Sequence, residues 1–457
     1  MAQRKTQHLK ISVYVVSHNY GHFLEHAVES VLRQTIDDWE LLIFDDNSSD
    51  NTQEVMNLYH GDPRIKLFST NGVGLPAVCN KALKAAAGEY IIRLDGDDVF
   101  DENILLVLSH WLDRHPEHAM VFPDYFFIDE HGEVFGQERR TRVFDKNHVL
   151  DMPANGACCL FRRNILMDLG GYREDLGRQD GFDIWVKMLG RHKCANVNIP
   201  LFYYRRHSSN LTSNMHRIFD ARRNIKLDAI VDDLDGARPI LAVIPCRRNY
   251  DFCPDVWQRK IAGKTLLEWS IDKCVRSELF DRIIIASDNE DVLHVLKQFK
   301  DPRLVYFERD PKDTIRSRNI AVTLDKIADK YDPQREGTIV LSYIQAPFVT
   351  TAVMEEAVST LVLNKADCSF GVQEIPDRLY RRDANGLQLI NPPRGLTSDF
   401  DLVYRQANCA LASRSRNMQK GSLSGPYIVN FIVAAEECFF IDSEHDFKIA
   451  NVIAEDK

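Results

Sequence analysis

Short apolar runs alternate along the chain with segments whose apolar residues keep helical spacing. In the first half, four apolar runs predict buried strands, at residues 11–17, 40–46, 64–69 and 89–95. Helical spacing begins at Phe23 and appears again across residues 77–87. Because strands separated by helices form sheets covered on both faces, this half predicts a mostly parallel, doubly wound α/β domain.

A second unit of the same kind follows a polar, acidic stretch at residues 226–239. Strand patterns return at residues 240–245, 282–287, 338–344 and 368–373, with helical patterns around residues 266–274 and 352–363. The stretch between them therefore predicts a domain boundary. We expect two α/β domains, at residues 1–235 and 236–457.

Composition narrows the class of protein. The 457 residues are 44% hydrophobic and 27% charged, which is ordinary for a globular protein. No run approaches the roughly 20 apolar residues of a membrane span, and the basic N-terminus enters a strand pattern instead of a signal-peptide core. A net charge of −10 argues against non-specific nucleic-acid binding. The prediction is a cytoplasmic protein with no transmembrane segment.

Ten cysteines are scattered through both halves without a CxxC pair or zinc-ligand spacing. This distribution predicts reduced thiols, most of them filling the core of a cytosolic protein.

Carboxylates collect at two predicted strand ends. Asp95, Asp97 and Asp98 follow one buried run, and their mutual repulsion would be relieved by a divalent cation such as Mg²⁺ or Mn²⁺. An acidic turn in solvent is the alternative. Asp45 and Asp46 end an earlier run, where they suit either contact with a nucleobase N–H or a simple Asx-turn. Since ligands bind beyond the carboxyl ends of parallel strands, both groups should share one crevice.

Two later segments add candidates. Asp180 and Asp183 lie at the start of an amphipathic helix, so one can cap the helix while the other serves as a general base. Arg205, Arg206 and His207 precede small hydroxyl residues and suit a diphosphate clamp, with a solvated basic loop as the alternative.

Together these motifs resemble a known family. The order VSHNYGHFLEHAVESVLRQT, FDDNSSDNT, LDGDD, QDGFDIWVK and YYRRHSSNLT is similar to the family 2 glycosyltransferases of the GT-A fold, over about residues 10–220. That family transfers a sugar from a nucleotide-sugar donor to an acceptor hydroxyl, usually with inversion.

The resemblance implies a role for each acid. Asp46, with Asp45, would contact the nucleoside base; Asp95 and Asp97 would hold the ribose and the divalent metal; Asp180 would deprotonate the acceptor. Arg205 and His207 would bind the nucleotide sugar.

One difference from the family leaves the identity of the general base open. Many relatives carry Glu-Asp where this chain has Gln179-Asp180, so Asp183 stays a second candidate. The loop at residues 151–163 resembles the acceptor-side segment of the family, although apolar packing explains it nearly as well.

The second half resembles the cytidylyltransferases that make CMP-activated sialic acid, over about residues 239–452. The resemblance implies a Rossmann-like nucleotidyltransferase fold after a Rossmann-like GT-A domain. It leaves a vestigial site at Arg247, Asn408, Asp442 and Asp446.

Substitutions in this half argue against CTP chemistry. The family exposes glycine amides and basic side chains to the triphosphate, whereas this chain has Arg248, Asn249 and Asp251 in that loop. Phe440 replaces the first of two metal-binding aspartates. A carboxylate in place of a lysine turns attraction for phosphate into repulsion.

Three functions remain from the sequence. The first is a metal-dependent glycosyltransferase in surface polysaccharide or glycoconjugate biosynthesis, with a nucleotide-sugar donor, a glycan acceptor and a degenerate second domain. The others are a bifunctional enzyme that also activates an acidic sugar, and a non-catalytic assembly protein. The resemblance also leaves open a homodimer through the second domain and peripheral association with the inner face of the membrane.

Overall fold

Two compact units make up the protein. The structure is a computed structural model and describes residues 9–139, 154, 156–176, 179–189, 191–207, 215–250, 252–315, 318–375, 377–383, 386–391 and 403–455. In this part of the chain the first unit ends at Arg222 and the second begins at Arg223. The boundary at residue 235 stays a prediction.

The first unit contains nine strands and seven helices among its described residues, the last helix continuing beyond Arg222. Its strands are β1 (Ile11–Ser17), β2 (Trp39–Asp46), β3 (Ile65–Thr70), β4 (Tyr90–Asp95), β5 (Val99–Phe100), β6 (His118–Ile128), β7 (Val134–Glu138), β8 (Leu160–Arg162) and β9 (Lys193–Arg205). Its helices are α1 (Gly21–Leu32), α2 (Thr52–Asn57), α3 (Leu75–Ala85), α4 (Ile104–Arg114), α5 (Arg163–Asp168), α6 (Asp180–Met188) and α7 (Met215–Ala229).

One sheet organises this unit. Strands β3, β2, β1 and β4 are parallel neighbours in that order, and β8, β6, β9 and β5 extend the sheet beyond β4. Ile11, Val13 and Val15 of β1 face a core with α1 and α4, while α3 packs on the other side. Because both faces of the sheet are covered, β1 and β2 are buried at every position, including their few polar residues.

The second unit has a similar set of elements. Its strands are β10 (Ile240–Cys246), β11 (Lys260–Ile261), β12 (Lys264–Thr265), β13 (Arg282–Ser287), β14 (Leu304–Glu308), β15 (Thr338–Ser342), β16 (Cys368–Ile375), β17 (Tyr380–Asp383), β18 (Gly386–Leu389), β19 (Val403–Arg414) and β20 (Ile428–Ile432). Its helices, after α7, are α8 (Leu266–Val275), α9 (Val292–Leu296), α10 (Ala321–Tyr331), α11 (Thr351–Leu363) and α12 (Glu444–Glu455).

Its main sheet also has two covered faces. The strand order is β14, β13, β10, β15, β19, β16 and β20. Ile240, Ala242 and Ile244 of β10 lie in a core with α8 and α11, whereas Leu241 and Val243 lie in a core with α10. The α/β, doubly wound fold class is therefore confirmed.

Both sheets contain antiparallel pairs beside the parallel ones. β8 runs antiparallel to β4, and β19 runs antiparallel to both of its neighbours. Strand direction depends on the path of the connection, which a local apolar pattern does not encode.

Two expectations from composition can be compared with the structure. Within the described residues, no helix combines the length and apolar character needed to cross a membrane. Eight of the ten cysteines are buried. The thiols therefore pack as small apolar side chains.

Candidate functional site

Two predicted groups of carboxylates flank one strand end. In the parallel register, Ser17 at the end of β1 lies beside Asp45 of β2. On the other side of β1, Val16 lies beside Asp95 of β4. The ends of three neighbouring strands thus bring these acids to the same edge of the sheet.

A tight turn after β4 carries the next two acids. The amide of Gly96 donates to the carbonyl of Val16 at 2.9 Å, and the amide of Asp98 donates to the carbonyl of Asp95 at 3.1 Å. A Cβ atom on Gly96 would lie 3.0 Å from the Val16 oxygen, which is closer than ordinary contact. Glycine here lets the turn press against β1 and present Asp97.

Asp97 is paired with His207. The imidazole Nε2 lies 3.0 Å from Asp97 Oδ2, and both side chains are less than a tenth exposed. The His207 ring packs against Tyr20 and Phe23 of the β1–α1 region, with ring centroids 5.6 Å and 5.4 Å away. The structure therefore brings His207 to the acids, and its role in nucleotide-sugar binding stays a prediction.

Asp98 is a buried structural acid beside the cluster. Its Oδ1 accepts the backbone amide of Arg205 at 2.8 Å, and its Oδ2 has no hydrogen-bond partner within the described residues. Burial, followed by the charges of Asp97 and Asp95, raises the pKa of Asp98 well above its usual value. Asp98 therefore links the acidic turn to the end of β9 at an electrostatic cost.

Arg205 points inward. Its Nε donates to the Asp97 carbonyl at 2.8 Å, and its Nη1 donates to the carbonyls of Asp129 and Glu130 at 2.9 Å and 3.2 Å. The guanidinium also lies 4.6 Å from the centre of the Phe23 ring. These contacts brace the acidic turn, and the role of Arg205 in nucleotide-sugar binding stays a prediction. Residues 208–212 of the predicted clamp lie outside the described residues.

A buried arginine that the sequence did not single out joins two predicted site residues. Arg93 Nε lies 3.0 Å from Asp95 Oδ1, and Arg93 Nη1 bonds to Asp180 Oδ2. Burial raises the pKa of Asp95 to about 6; Arg93 opposes this shift, while Asp97 and Asp180 reinforce it. The available signal was a charged residue inside the apolar run YIIRLD, since a buried charge requires a partner.

The two candidate bases of α6 have different surroundings. Asp180 is buried and faces Arg93. Asp183 forms an ion pair with Lys187 one turn later, at 2.7 Å, and burial raises its pKa although Lys187 lowers it. Asp180 is thus connected to Asp95 through Arg93.

Asp46 and Asp45 are both held by the chain. Asp46 Oδ2 accepts the Gly74 amide at 2.8 Å, and Asp45 Oδ1 accepts the Ser48 amide at 2.9 Å. Burial raises the pKa of Asp46, but hydrogen bonds from the Thr70 side chain and from the backbone amides of Val73 and Gly74 outweigh this effect and lower the pKa overall. Because a carboxylate has about four acceptor positions, each acid can still accept a nucleobase N–H.

The donor atoms suit a hard divalent cation. Among the described residues there is no ready-made group of three or more metal-ligating side chains. Asp95 and Asp97 nevertheless supply carboxylate oxygens at one turn, and Mg²⁺ or Mn²⁺ is commonly held by one or two carboxylates with phosphates and water. The residues therefore fit the predicted metal.

In the second unit, Arg247 follows directly after β10. Its guanidinium lies 4.7 Å from the centre of the Tyr250 ring and donates to the carbonyl of Thr314 at 3.3 Å. The neighbouring Arg248 amide donates to Asp288. The substituted residue Asp251 lies outside the described residues. Arg247 is thus engaged by protein groups.

The other vestigial positions have local explanations. Asp446 Oδ2 accepts the Ser443 hydroxyl at 2.7 Å and the Asp442 amide at 3.1 Å, at the start of α12. Asn408 is exposed on β19. Helix capping is sufficient to explain Asp446.

Comparisons with known proteins agree with the first of the two resemblances. A model of glycosyl transferase family 2 matches residues 12–170. The UDP-Glc:alpha-D-GlcNAc-diphosphoundecaprenol beta-1,3-glucosyltransferase WfgD of Escherichia coli is 42% identical over 208 residues, covering 45% of this chain and 80% of WfgD. This chain belongs to glycosyl transferase family 2.

Other similarities of this family 2 member are partial. A chondroitin synthase of Pasteurella multocida is 38% identical over 190 residues, covering 41% of this chain. The chain spans only 20% of the length of that synthase. S. aureus TarS 1–349 in complex with UDP-GlcNAc has 18% identity and a TM-score of 0.43, covering 49% of this chain and 67% of that one.

The resemblance of the second half to cytidylyltransferases is also supported by a family model. A cytidylyltransferase family model covers residues 258–401. The predicted pairing of a family 2 glycosyltransferase with a cytidylyltransferase-like unit is therefore confirmed. Asp180, Arg205 and His207 lie beyond the first matched segment, and Arg247 precedes the second.

Proposed function

We propose that this protein transfers a sugar from a nucleotide-sugar donor to a hydroxyl of a glycan or glycoconjugate, in surface polysaccharide biosynthesis. The observation that carries the proposal is the convergence of Asp45, Asp95 and Asp97 at one strand end, with Asp180 joined to them through Arg93. Family membership and the names of the relatives, a glucosyltransferase and a chondroitin synthase, support the same activity.

The acids at the strand ends would bind the donor. Asp46, assisted by Asp45, would accept the N–H of the nucleoside base. Asp95 and Asp97 would contact the ribose and hold Mg²⁺ or Mn²⁺. A bound divalent cation neutralises the diphosphate as it departs.

Asp180 would act as the general base. Asp183 is paired with Lys187, whereas Asp180 is paired with Arg93, which also contacts the donor-binding Asp95. In a single displacement, the acceptor hydroxyl gives its proton to Asp180 while its oxygen bonds to the anomeric carbon and the bond to the diphosphate breaks. This course inverts the anomeric configuration.

A panel of nucleotide sugars with Mg²⁺ or Mn²⁺ tests the proposal. We expect one donor class to bind the unmutated protein, Asp97→Ala to abolish that binding, and Asp180→Asn to retain binding with only a small residual turnover. Asp183→Asn is the matched comparison on α6 and should retain turnover. Absence of binding by the unmutated protein with every donor and metal would contradict the proposal and favour a non-catalytic assembly role.

For the second unit we propose packing and self-association instead of CTP chemistry. Large apolar side chains stay exposed on the β17–β18 hairpin and near the edge strand β20: Tyr380, Leu387, Ile390, Tyr427 and Ile428. Exposed apolar groups of this kind support a homodimer. Light scattering of the full chain should give twice the 52.6 kDa of one chain, and a single-chain mass would contradict the dimer.

A further inference from the structure

Arg93 contacts the candidate site, but the roles proposed above for donor binding and proton transfer do not involve it. Its side chain is 6% exposed, lies within β4, and reaches acids on two different elements. We propose that Arg93 is a positioning residue for sugar transfer, holding the Asp180 carboxylate in place and tying it to Asp95. The inference rests on the proposed function.

The contacts of the guanidinium define its orientation. Nη2 donates to Asp95 Oδ2 at 3.5 Å, with Nε 3.0 Å from Asp95 Oδ1 in the same ion pair. Nη1 bonds to Asp180 and also lies 3.8 Å from the sulfur of Cys79. Burial raises the pKa of Cys79 to about 12, although Arg93 opposes that shift. This thiol is therefore neutral near pH 7, and the arginine charge is shared between the two carboxylates.

Two glycines leave room for this bridge. A Cβ atom on Gly156 would lie 2.9 Å from Arg93 Nη2 and 3.4 Å from the Cα of Gly181. Gly181 directly follows Asp180 at the start of α6. A side chain at residue 156 would therefore push against the guanidinium or the start of the helix.

The planar guanidinium imposes a geometry that a lysine ammonium would not. Its N–H groups point in fixed directions, so two acids on one guanidinium are held at a set distance and angle. Rotating Asp180 away would leave a buried carboxylate without its cation, which is strongly unfavourable. With Oδ2 bonded to Arg93, Oδ1 is the oxygen that takes the acceptor proton.

Variants of the full chain test this role. We expect Arg93→Met to lower turnover about 100-fold, the size of loss that a misplaced reacting group produces, with a smaller change in the donor dissociation constant. Arg93→Lys should recover part of the turnover, yet remain about tenfold below the unmutated protein, since an ammonium is a point charge without the fork.

Arg162 provides a matched control in the same unit. Its Nε and Nη2 donate to the carbonyls of His118 and Leu112, each at 2.8 Å. Arg162→Met should therefore lower the melting temperature but keep the turnover number. This control separates loss of stability from loss of positioning.

A double variant gives a readout that a merely structural role would not share. If Arg93 acts through Asp180, adding Arg93→Met to Asp180→Asn should cause no further loss of turnover, because residues that act as a unit are not additive. Unchanged turnover in a folded Arg93→Met protein, or a full additional loss in the double variant, would overturn the inference. If Arg93→Met does not fold, Arg93→Lys provides the test. Turnover of Arg93→Lys equal to that of the unmutated protein would then overturn the inference.

Failure of the proposed function gives a different pattern. An unmutated protein that turns over no donor contradicts the proposed function, and crystal structures then test the positioning directly. Displacement of the Asp180 carboxylate in the Arg93 variants supports the inference, whereas an unmoved carboxylate overturns it.

Discussion

At the scale of single residues, the site shows what a charge pattern can and cannot reveal. The sequence placed Asp97 and His207 in one site, and the structure puts their side chains 3.0 Å apart. The same pattern did not reveal Arg93, because its importance depends on Asp180, 87 positions away. It also did not show that the Arg205 guanidinium turns inward to backbone carbonyls.

A buried lysine makes stability depend on pH. Lys273 of α8 donates to the Ala346 carbonyl at 2.7 Å, and burial lowers its pKa from 10.5 to about 8. Below pH 8 the fold carries the whole penalty of burying the charge, about 3 kcal/mol. Between pH 8 and 10.5 the unfolded chain binds more protons, so the contribution of this group to stability rises with pH.

Comparison with Lys273→Met isolates this effect. The variant lacks the buried charge, so its stability relative to the unmutated protein should fall by roughly 2–3 kcal/mol between pH 7 and pH 10. Chemical denaturation at both pH values measures the difference. Parallel pH dependence of the two proteins would contradict the lowered pKa.

At the scale of elements, the apolar patterns predicted the bounds of several strands and helices closely. β1 occupies the seven predicted residues, and α11 begins one residue before its predicted start. Strand direction was predicted less well, because β8 and β19 reverse the sheet through connections with no local signature. Likewise, no pattern in the acidic stretch predicted where helix α7 begins or ends.

Helix α7 offers two adjacent arginines with different burial. Arg223 bonds to Glu356 and Glu437 within the second unit, at 2.8 Å and 2.6 Å, and all three side chains are buried. Arg222 instead donates to the partly buried Gln179 side chain in the first unit. Removing one partner of a buried ion pair is far more destabilising than removing a partly exposed contact.

We therefore expect Arg223→Met to lower the free energy of unfolding of the second unit by about 3–5 kcal/mol. Arg222→Met should lower stability by less than about 1 kcal/mol. Calorimetry of the full chain measures both. Equal losses of stability in the two variants would show that other groups stabilise the buried carboxylates of Glu356 and Glu437 when Arg223 is absent.

At the scale of the whole molecule, the two units differ in how well their sites are kept. The resemblances imply that the first unit keeps the acids of its family, whereas Arg248 and Asn249 stand at glycine positions of the phosphate loop in the second. Arg247 of that loop stacks on Tyr250. Family similarity therefore indicates a shared fold in both units, and comparable chemistry only in the first unit stays a proposal.

Thermal denaturation of the full chain can separate the units by ligand. CTP should leave the melting temperature unchanged, because side chains at Arg248 and Asn249 replace glycines where the family binds a triphosphate. A cognate nucleotide sugar with Mn²⁺ at 100 times its dissociation constant should add about 2.7 kcal/mol. A clear shift with CTP would instead favour the bifunctional enzyme.

The sequence alone determined the α/β class, the two resemblances and the location of the acids at strand ends. These features follow from local periodicity and from the rule that parallel strands end at one edge. Only the tertiary structure decided that Asp180 faces Arg93 while Asp183 pairs with Lys187. Such choices depend on contacts between elements distant in the chain, so no local pattern contains them.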